Sequence, residues 1–207
     1  MDSSYDFLKE VSGEKTIVVV TTVLKKLLQE GIIPDCAIVM DSQKRTLGHI
    51  QGIEQSQVPL IIDSTAYWEF ADRYVGEKYI AYQKGYETAE KCAHNGKFNV
   101  YETGGSVITL ALDIILQLGA TQVYFVGVDL AYPEGLSHAS GTMDRKQRDV
   151  SGMQLIKAVH GEQVYADSLF IGYRKWIEKK VEEYPLVEFY NLSTCGADIT
   201  GVNAWHN

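Results

Sequence analysis

The chain is poor in the residues that build cross-linked or metal-stapled folds. Its three cysteines, Cys36, Cys92 and Cys195, are far apart, odd in number and without CxxC spacing. That excludes a disulfide framework or a zinc ribbon and predicts reduced thiols. His49, His94, His160 and His206 show no ligand spacing. No apolar run reaches the roughly 20 residues that cross a bilayer, and the opening MDSSYDFLKE has no signal-peptide core. A soluble, cytoplasmic protein is therefore expected. Basic residues are in the minority, with 19 Lys and Arg against 27 Asp and Glu, a net charge of −8. Such a chain offers no basic face for the phosphates of a nucleic acid. Repeats, low-complexity runs and a lysine-bearing phosphate loop are all missing. What remains is 207 residues of ordinary composition, enough for one domain with its own core. An anionic small ligand stays admissible, because glycine turns and helix N-termini bind phosphate through backbone N–H groups without net positive charge.

Residues 103–141 organise the rest. Gly104, Gly105 and Ser106 make a turn, and residues 107–118 read as a helix that is apolar almost all round, with a narrow polar stripe of Ser106, Thr109, Asp113 and Gln117. A helix of that kind is covered on most of its circumference. Gly119 ends it, as a residue free to take the left-handed cap conformation does. Residues 122–128 are a short apolar run with β-branched and aromatic side chains, suited to a strand buried on both faces. Asp129, Tyr132, His138 and Ser140 follow within twelve residues. They lie just past the carboxyl end of that strand, where open α/β sheets bind ligands.

Elsewhere, residues 16–20 (TIVVV), 36–40, 60–63, 79–82, 98–101 and 187–192 predict strands. Helices are expected over 23–30 (capped by Thr22), 66–74 and 169–183 (capped by Ser168), with a helical turn at 5–10. Residues 153–159 and 162–165 predict a β-ribbon. The segments 42–57 and 83–97 are polar; the first predicts an exposed stretch that admits a short helix, and the second, being aperiodic, a loop or lid. The alternation of strand and helix gives an α/β fold: a Rossmann-like three-layer sandwich, with a mostly parallel sheet and helices on both faces.

The motifs GGSV at 104–107, GVDLAY at 127–132 and SHASG at 137–141, taken with GIIPDCAIVMD at 31–41 and the stretch at 174–201, carry a family resemblance. The chain resembles the motility accessory factors of flagellin glycosylation, a family that shares its domain with archaeal 6-hydroxymethylpterin pyrophosphokinases. More distantly it is similar to bacterial sialyltransferases that use a CMP-activated nonulosonic acid. The resemblance implies a single domain over 1–207, lacking the family's first strand and its Gly-Pro-Ser-Leu loop. It implies a glycosyltransferase-like domain that binds a CMP-activated sugar of the sialic, pseudaminic or legionaminic type and modifies flagellin or a glycan. The chemistry needs no metal under that reading. Two alternatives stand: a Mg²⁺-dependent pterin pyrophosphokinase using ATP, and a non-catalytic piece that serves in assembly. A nucleotide-sugar or nucleotide is the expected ligand, flagellin or a glycan the acceptor, and a homo-oligomer is compatible with the sequence.

Each candidate site residue also has a plainer role. Gly104, Gly105 and Ser106 either offer backbone N–H groups to a phosphate or form a tight turn with Ser106 as helix cap. Asp129 either holds a ribose hydroxyl or a metal, or caps the turn after its strand. By position, Tyr132 and His138 match tyrosines that stabilise the leaving phosphate in the sialyltransferase relatives, a task that a hydroxyl or an imidazolium performs by donating to developing charge. Asp167 stands where those relatives carry a histidine base; a carboxylate can substitute, though weakly unless burial raises its pKa. Asn191, Ser193 and Gly196 follow the last strand and either contact a base or ribose or form a turn. Asp41 and Asp63, both at strand ends, are candidates for Mg²⁺ under the kinase alternative and helix caps otherwise. The basic loop at 145–148 is either a phosphate flap or a solvated face.

Overall fold

The computed structural model describes residues 2–137 and 146–205. The chain divides into two compact units: residues 5–114, and residues 115–207 together with 1–4.

In the first unit, α1 (Asp2–Val11) leads to β1 (Val18–Val20), α2 (Thr21–Gln29), β2 (Cys36–Val39), β3 (Leu60–Asp63), α3 (Glu69–Arg73), β4 (Lys78–Gln83), α4 (Glu87–Gly96) and β5 (Val100–Tyr101). α5 (Val107–Gln117) begins here and runs into the second unit. The five strands form one parallel sheet in the order β1-β2-β3-β4-β5. Their side chains alternate across it. Val19, Ala37, Val39, Leu60 and Ile62 pack with Tyr5 and Val11 of α1, Leu24 and Leu27 of α2, and Phe70 of α3. The intervening Ile38 and Ala81, with Val18 and Ile61, pack on Leu110, Ala111 and Ile114 of α5. Successive right-handed crossovers in one direction set α2 and α3 on one face, and α5 covers the other, giving three layers. Among the described residues, no helix is long and apolar enough to cross a membrane.

Residues 83–97 correct the sequence reading. They hold α4, not a loop or lid, and its buried residues are Ala89 and Ala93, one turn apart. Its C-cap, Lys97, takes the left-handed conformation (φ 56°). The segment 42–57, expected to be exposed, carries a 3₁₀ turn at Lys44–His49 with Thr46 and Ile50 buried. The expected side-chain caps of two helices also differ. α2 has no side-chain cap bond, and the helix that starts at Ser168 is capped by Asp167, one residue earlier than expected.

In the second unit, Gly119 takes the left-handed conformation after α5 (φ 89°). β6 (Gln122–Phe125), β11 (Glu188–Asn191) and β12 (Asn203–Ala204) make a parallel sheet in the order β12-β11-β6. Between them lie the antiparallel pair β7 (Leu136–Ser137) and β8 (Lys146–Gln147), the expected ribbon β9 (Gln154–Lys157) and β10 (Gln163–Ala166), and α6 (Ser168–Glu183). β6 ends at Phe125, three residues before the predicted boundary, so Gly127 and Val128 belong to the loop that follows.

Candidate functional site

The carboxyl ends of β6 and β11 converge through a short set of hydrogen bonds. Leu192 N–H donates to the Phe125 carbonyl (2.9 Å), so the two strands leave the sheet together. Past them, Ser193 Oγ donates to Asp129 Oδ1 (2.6 Å) and accepts from the amides of Gly196 (3.0 Å) and Cys195 (3.4 Å). Ser193 N–H donates to Asn191 Oδ1 (2.9 Å), and Ala197 N–H to the Asp129 carbonyl (2.7 Å). The Ser193 hydroxyl is thereby saturated. It clamps the turn to Asp129.

Two groups at this clamp are left wanting. Asn191 is 3% exposed, and its Nδ2 is buried with no hydrogen-bond partner. A buried amide donor left in that state costs about 1–3 kcal/mol. Leu130, next to Asp129 and buried, sits in the left-handed region at φ 48°, a conformation that costs a bulky side chain of order 1–3 kcal/mol and collects at functional loops. Cys195 is exposed as a residue, but desolvation of its sulfur raises the thiol pKa, with the Asp129 carboxylate adding to the effect, so the thiol is a poor nucleophile.

Tyr132 and Asp167 meet, as candidate site residues must if they act together. Asp167 caps α6 by accepting from Phe170 N–H at Oδ1 (2.9 Å), and its Oδ2 accepts from the Tyr132 hydroxyl (2.6 Å). Tyr132 is 4% exposed and stacks on Phe170, ring centroids 4.8 Å apart. Burial, then the hydrogen bond to Asp167, pushes its phenol up to about 12, while the Arg148 guanidinium acts in the opposite sense. At neutral pH the tyrosine is therefore a neutral donor whose single proton is held by Asp167. To serve a leaving phosphate, its hydroxyl must swing off Oδ2. His138 and Ser140 lie outside the described residues.

In the first unit, the glycine turn is largely self-satisfied. Thr109, fully buried, accepts from Gly104 N–H (2.9 Å) and Ser106 N–H (3.2 Å) at its hydroxyl, which in turn donates to the Ser106 carbonyl (2.6 Å). Of the three amides proposed for a phosphate, two have this internal partner. The sequence shows Thr109 only as part of a polar stripe, and nothing there reveals its cap role. Asp41 Oδ1 accepts from Gln43 N–H (2.8 Å), the turn-capping role. Asp63 is buried; its Oδ2 accepts from Thr65 N–H (2.8 Å) and Oγ1 (2.5 Å), and its Oδ1 has no partner. Burial raises its pKa against the lowering effect of the Thr65 bonds. Thr65 Oγ1 shares its one proton between Asp63 and Gln83 Oε1 (3.1 Å), and Gln83 Nε2 donates to Thr103 Oγ1 (3.4 Å), a polar line along the carboxyl edge of β3, β4 and β5 that sequence reading missed. Among the described residues, no three His, Cys, Asp or Glu side chains gather as a metal site.

Polar groups collected past the carboxyl ends of parallel strands, in both units, are the ligand-binding arrangement of open α/β sheets. Residues 1–135 match the family described as 6-hydroxymethylpterin diphosphokinase MptE-like. The chain belongs to this MptE-like family. No curated protein matches it. The MptE-like chain is similar in structure to the MAf glycosyltransferase from Magnetospirillum magneticum AMB-1, with a TM-score of 0.79 and 19% identity over 99% of this chain. At that identity the likeness shows a shared motility accessory factor-like fold. The matched region is 31% of that glycosyltransferase, so the MptE-like chain spans about a third of its length.

Proposed function

We propose that the chain is a glycosyltransferase-like, nucleotide-binding domain that takes a CMP-activated nonulosonic acid and passes the sugar to flagellin or a glycan in the cytoplasm, acting as one domain over 1–207. Asn191 carries the proposal. Its buried, unpartnered Nδ2 sits in the same turn as the Ser193–Asp129 clamp, and an acceptor on the pyrimidine or ribose of CMP supplies the missing bond. Asp129 gives Ser193 one carboxylate oxygen, and the other is assigned a ribose hydroxyl. In the transfer step the oxygen of the acceptor hydroxyl bonds to the anomeric carbon of the sugar while the bond from that carbon to the phosphate oxygen breaks, and CMP leaves with the electron pair. Tyr132 and His138 are assigned to the developing phosphate charge, and Asp167 Oδ2, released by the tyrosine, to the proton of the acceptor hydroxyl. Taken by itself within the first unit, the glycine turn Gly104, Gly105 and Ser106 is assigned to nucleotide phosphate through the Gly105 amide, the one of the three without a Thr109 bond.

The family match supports a second reading, a Mg²⁺-dependent transfer of diphosphate from ATP to a pterin alcohol. Thermal-shift titration with CMP, CDP, ATP and GTP, each with and without Mg²⁺, separates the two. A ligand that binds the folded state raises the melting temperature by mass action. Metal-independent stabilisation by CMP, lost in Asn191→Ala, is the expected result. A shift with ATP that requires Mg²⁺ selects the second reading. No shift with any nucleotide refutes both.

A further inference from the structure

β4 has an open edge. Leu60 N–H donates to the Glu77 carbonyl and Ser64 N–H to that of Ala81, both 2.9 Å, so the odd-numbered backbone groups of β4 turn toward β3. Alternation then turns the N–H and C=O of Lys78, Ile80 and Tyr82 the other way. β5 meets that side only from Tyr82 onward, in the pairs Tyr82–Val100 and Gln83–Tyr101. Among the described residues, no strand pairs with Lys78 or Ile80 on the outer side. A parallel sheet normally buries such groups or blunts the edge with charge, proline or a bulge. Beside Lys78 and Lys97, the edge here is apolar: Tyr79 is 52% and Ile80 60% exposed, and Phe98, stacked on Tyr82, is 61% exposed. With Lys97 and Lys78, whose Nζ also donates to the Tyr74 carbonyl (2.7 Å), these side chains line a groove of about 580 Å³; Glu77 stands outside that lining, bonded to Tyr79, on a chain of net charge −8.

We propose that this edge docks an extended, acidic segment of a partner protein, which adds to the sheet beside β4. The four outward backbone groups of Lys78 and Ile80 bond the incoming strand, the aromatic walls take its apolar side chains, and the two lysines take its carboxylates. A second copy of this chain fits less well, because it brings its own Lys78 and Lys97 against the same cations. A nucleotide can stack on the aromatic walls and meet the lysines, but it leaves the strand edge unpaired. The inference is independent of the nucleotide site.

The test uses a fluorescein-labelled peptide of alternating valine and glutamate, its valine–lysine counterpart, and the acidic peptide N-methylated at alternate amides, each titrated into the full chain by anisotropy. The acidic peptide is expected to bind at least about tenfold more tightly than the lysine peptide, a difference set by charge complementarity. N-methylation abolishes binding, because it removes the strand donors. Lys97→Glu, at an exposed position outside the sheet, erases the preference for acid. Equal affinity of the two charge types, unimpaired binding of the N-methylated peptide, or displacement by CMP or ATP overturns the proposal. So does a dimer in sedimentation that excludes the peptide.

Discussion

Gly196 offers the sharpest test of the clamp at the ends of β6 and β11. A Cβ there would lie 2.6 Å from the Asp129 Cα, 2.7 Å from its carbonyl oxygen and 2.8 Å from Ser193 Oγ. The first two obstacles are backbone, so Gly196→Ala forces the turn off Asp129. Overpacking costs about 1–3 kcal/mol. The displaced turn also strains the Ser193–Asp129 bond and the Ala197 N–H bond to the Asp129 carbonyl, each worth about 1 kcal/mol. The sum, roughly 3–5 kcal/mol, corresponds to a fall in melting temperature of about 6–20 °C for a chain of this size. The same substitution at Gly172, inside α6 with nothing within 4 Å of the added carbon, should have the opposite sign. There alanine relieves the glycine penalty in a helix, a gain of about 0.5–1 kcal/mol. Thermal melts by circular dichroism read both variants directly. If Gly196→Ala melts within a degree of the parent, or if Gly172→Ala loses as much as Gly196→Ala, the packing at Asp129 is not what holds the turn.

Three further predictions concern buried polar groups. Thr109→Val leaves the amides of Gly104 and Ser106 without their acceptor and should cost about 2 kcal/mol; a denaturant midpoint equal to that of the parent contradicts the cap. Tyr132 should ionise near pH 12 in an ultraviolet titration of the phenol. Because its folded pKa is raised, the stability it contributes is present below its ordinary pKa of about 10 and lost as pH climbs through the folded value; Tyr132→Phe removes that alkaline component. Asp63 likewise has a raised pKa, which for a carboxyl means that burial favours the neutral form. The parent should therefore lose stability relative to Asp63→Asn as pH rises through the folded pKa of Asp63. A difference between the two melts that stays flat from acid to neutral pH would contradict an unsolvated carboxylate at that position.

Much of the fold is legible because its buried elements are apolar runs. Val18–Val20 within TIVVV, Cys36–Val39 after Pro34 and residues 60–63 are strands between two layers, and Val107–Gln117 is covered so completely that its sequence has few polar residues. α4 escapes because its buried face is two alanines in a polar stretch, too little area to leave a periodic signal. The candidate site residues are legible in their place on the fold more than in their hydrogen bonds. Asp129, Tyr132, Asp167, Asn191 and Ser193 all stand at strand or helix ends, where sequence puts candidates. The bond from Ser193 to Asp129 joins residues 64 apart, and that from Tyr132 to Asp167 residues 35 apart; spacing along the chain holds no trace of either. The role of Thr109 is hidden for a different reason. A helical threonine reads as a weak helix former, and only coordinates show its hydroxyl turned back to the preceding turn.

Asp167 has two duties at one carboxylate, holding the first turn of α6 with one oxygen and the phenol of Tyr132 with the other. Anything that recruits that phenol frees a lone pair on the helix cap and alters the charge seen by the Phe170 amide. Occupancy of the loop after β6 thus becomes visible as a change in deuterium uptake at the start of α6, a built-in reporter that needs no label.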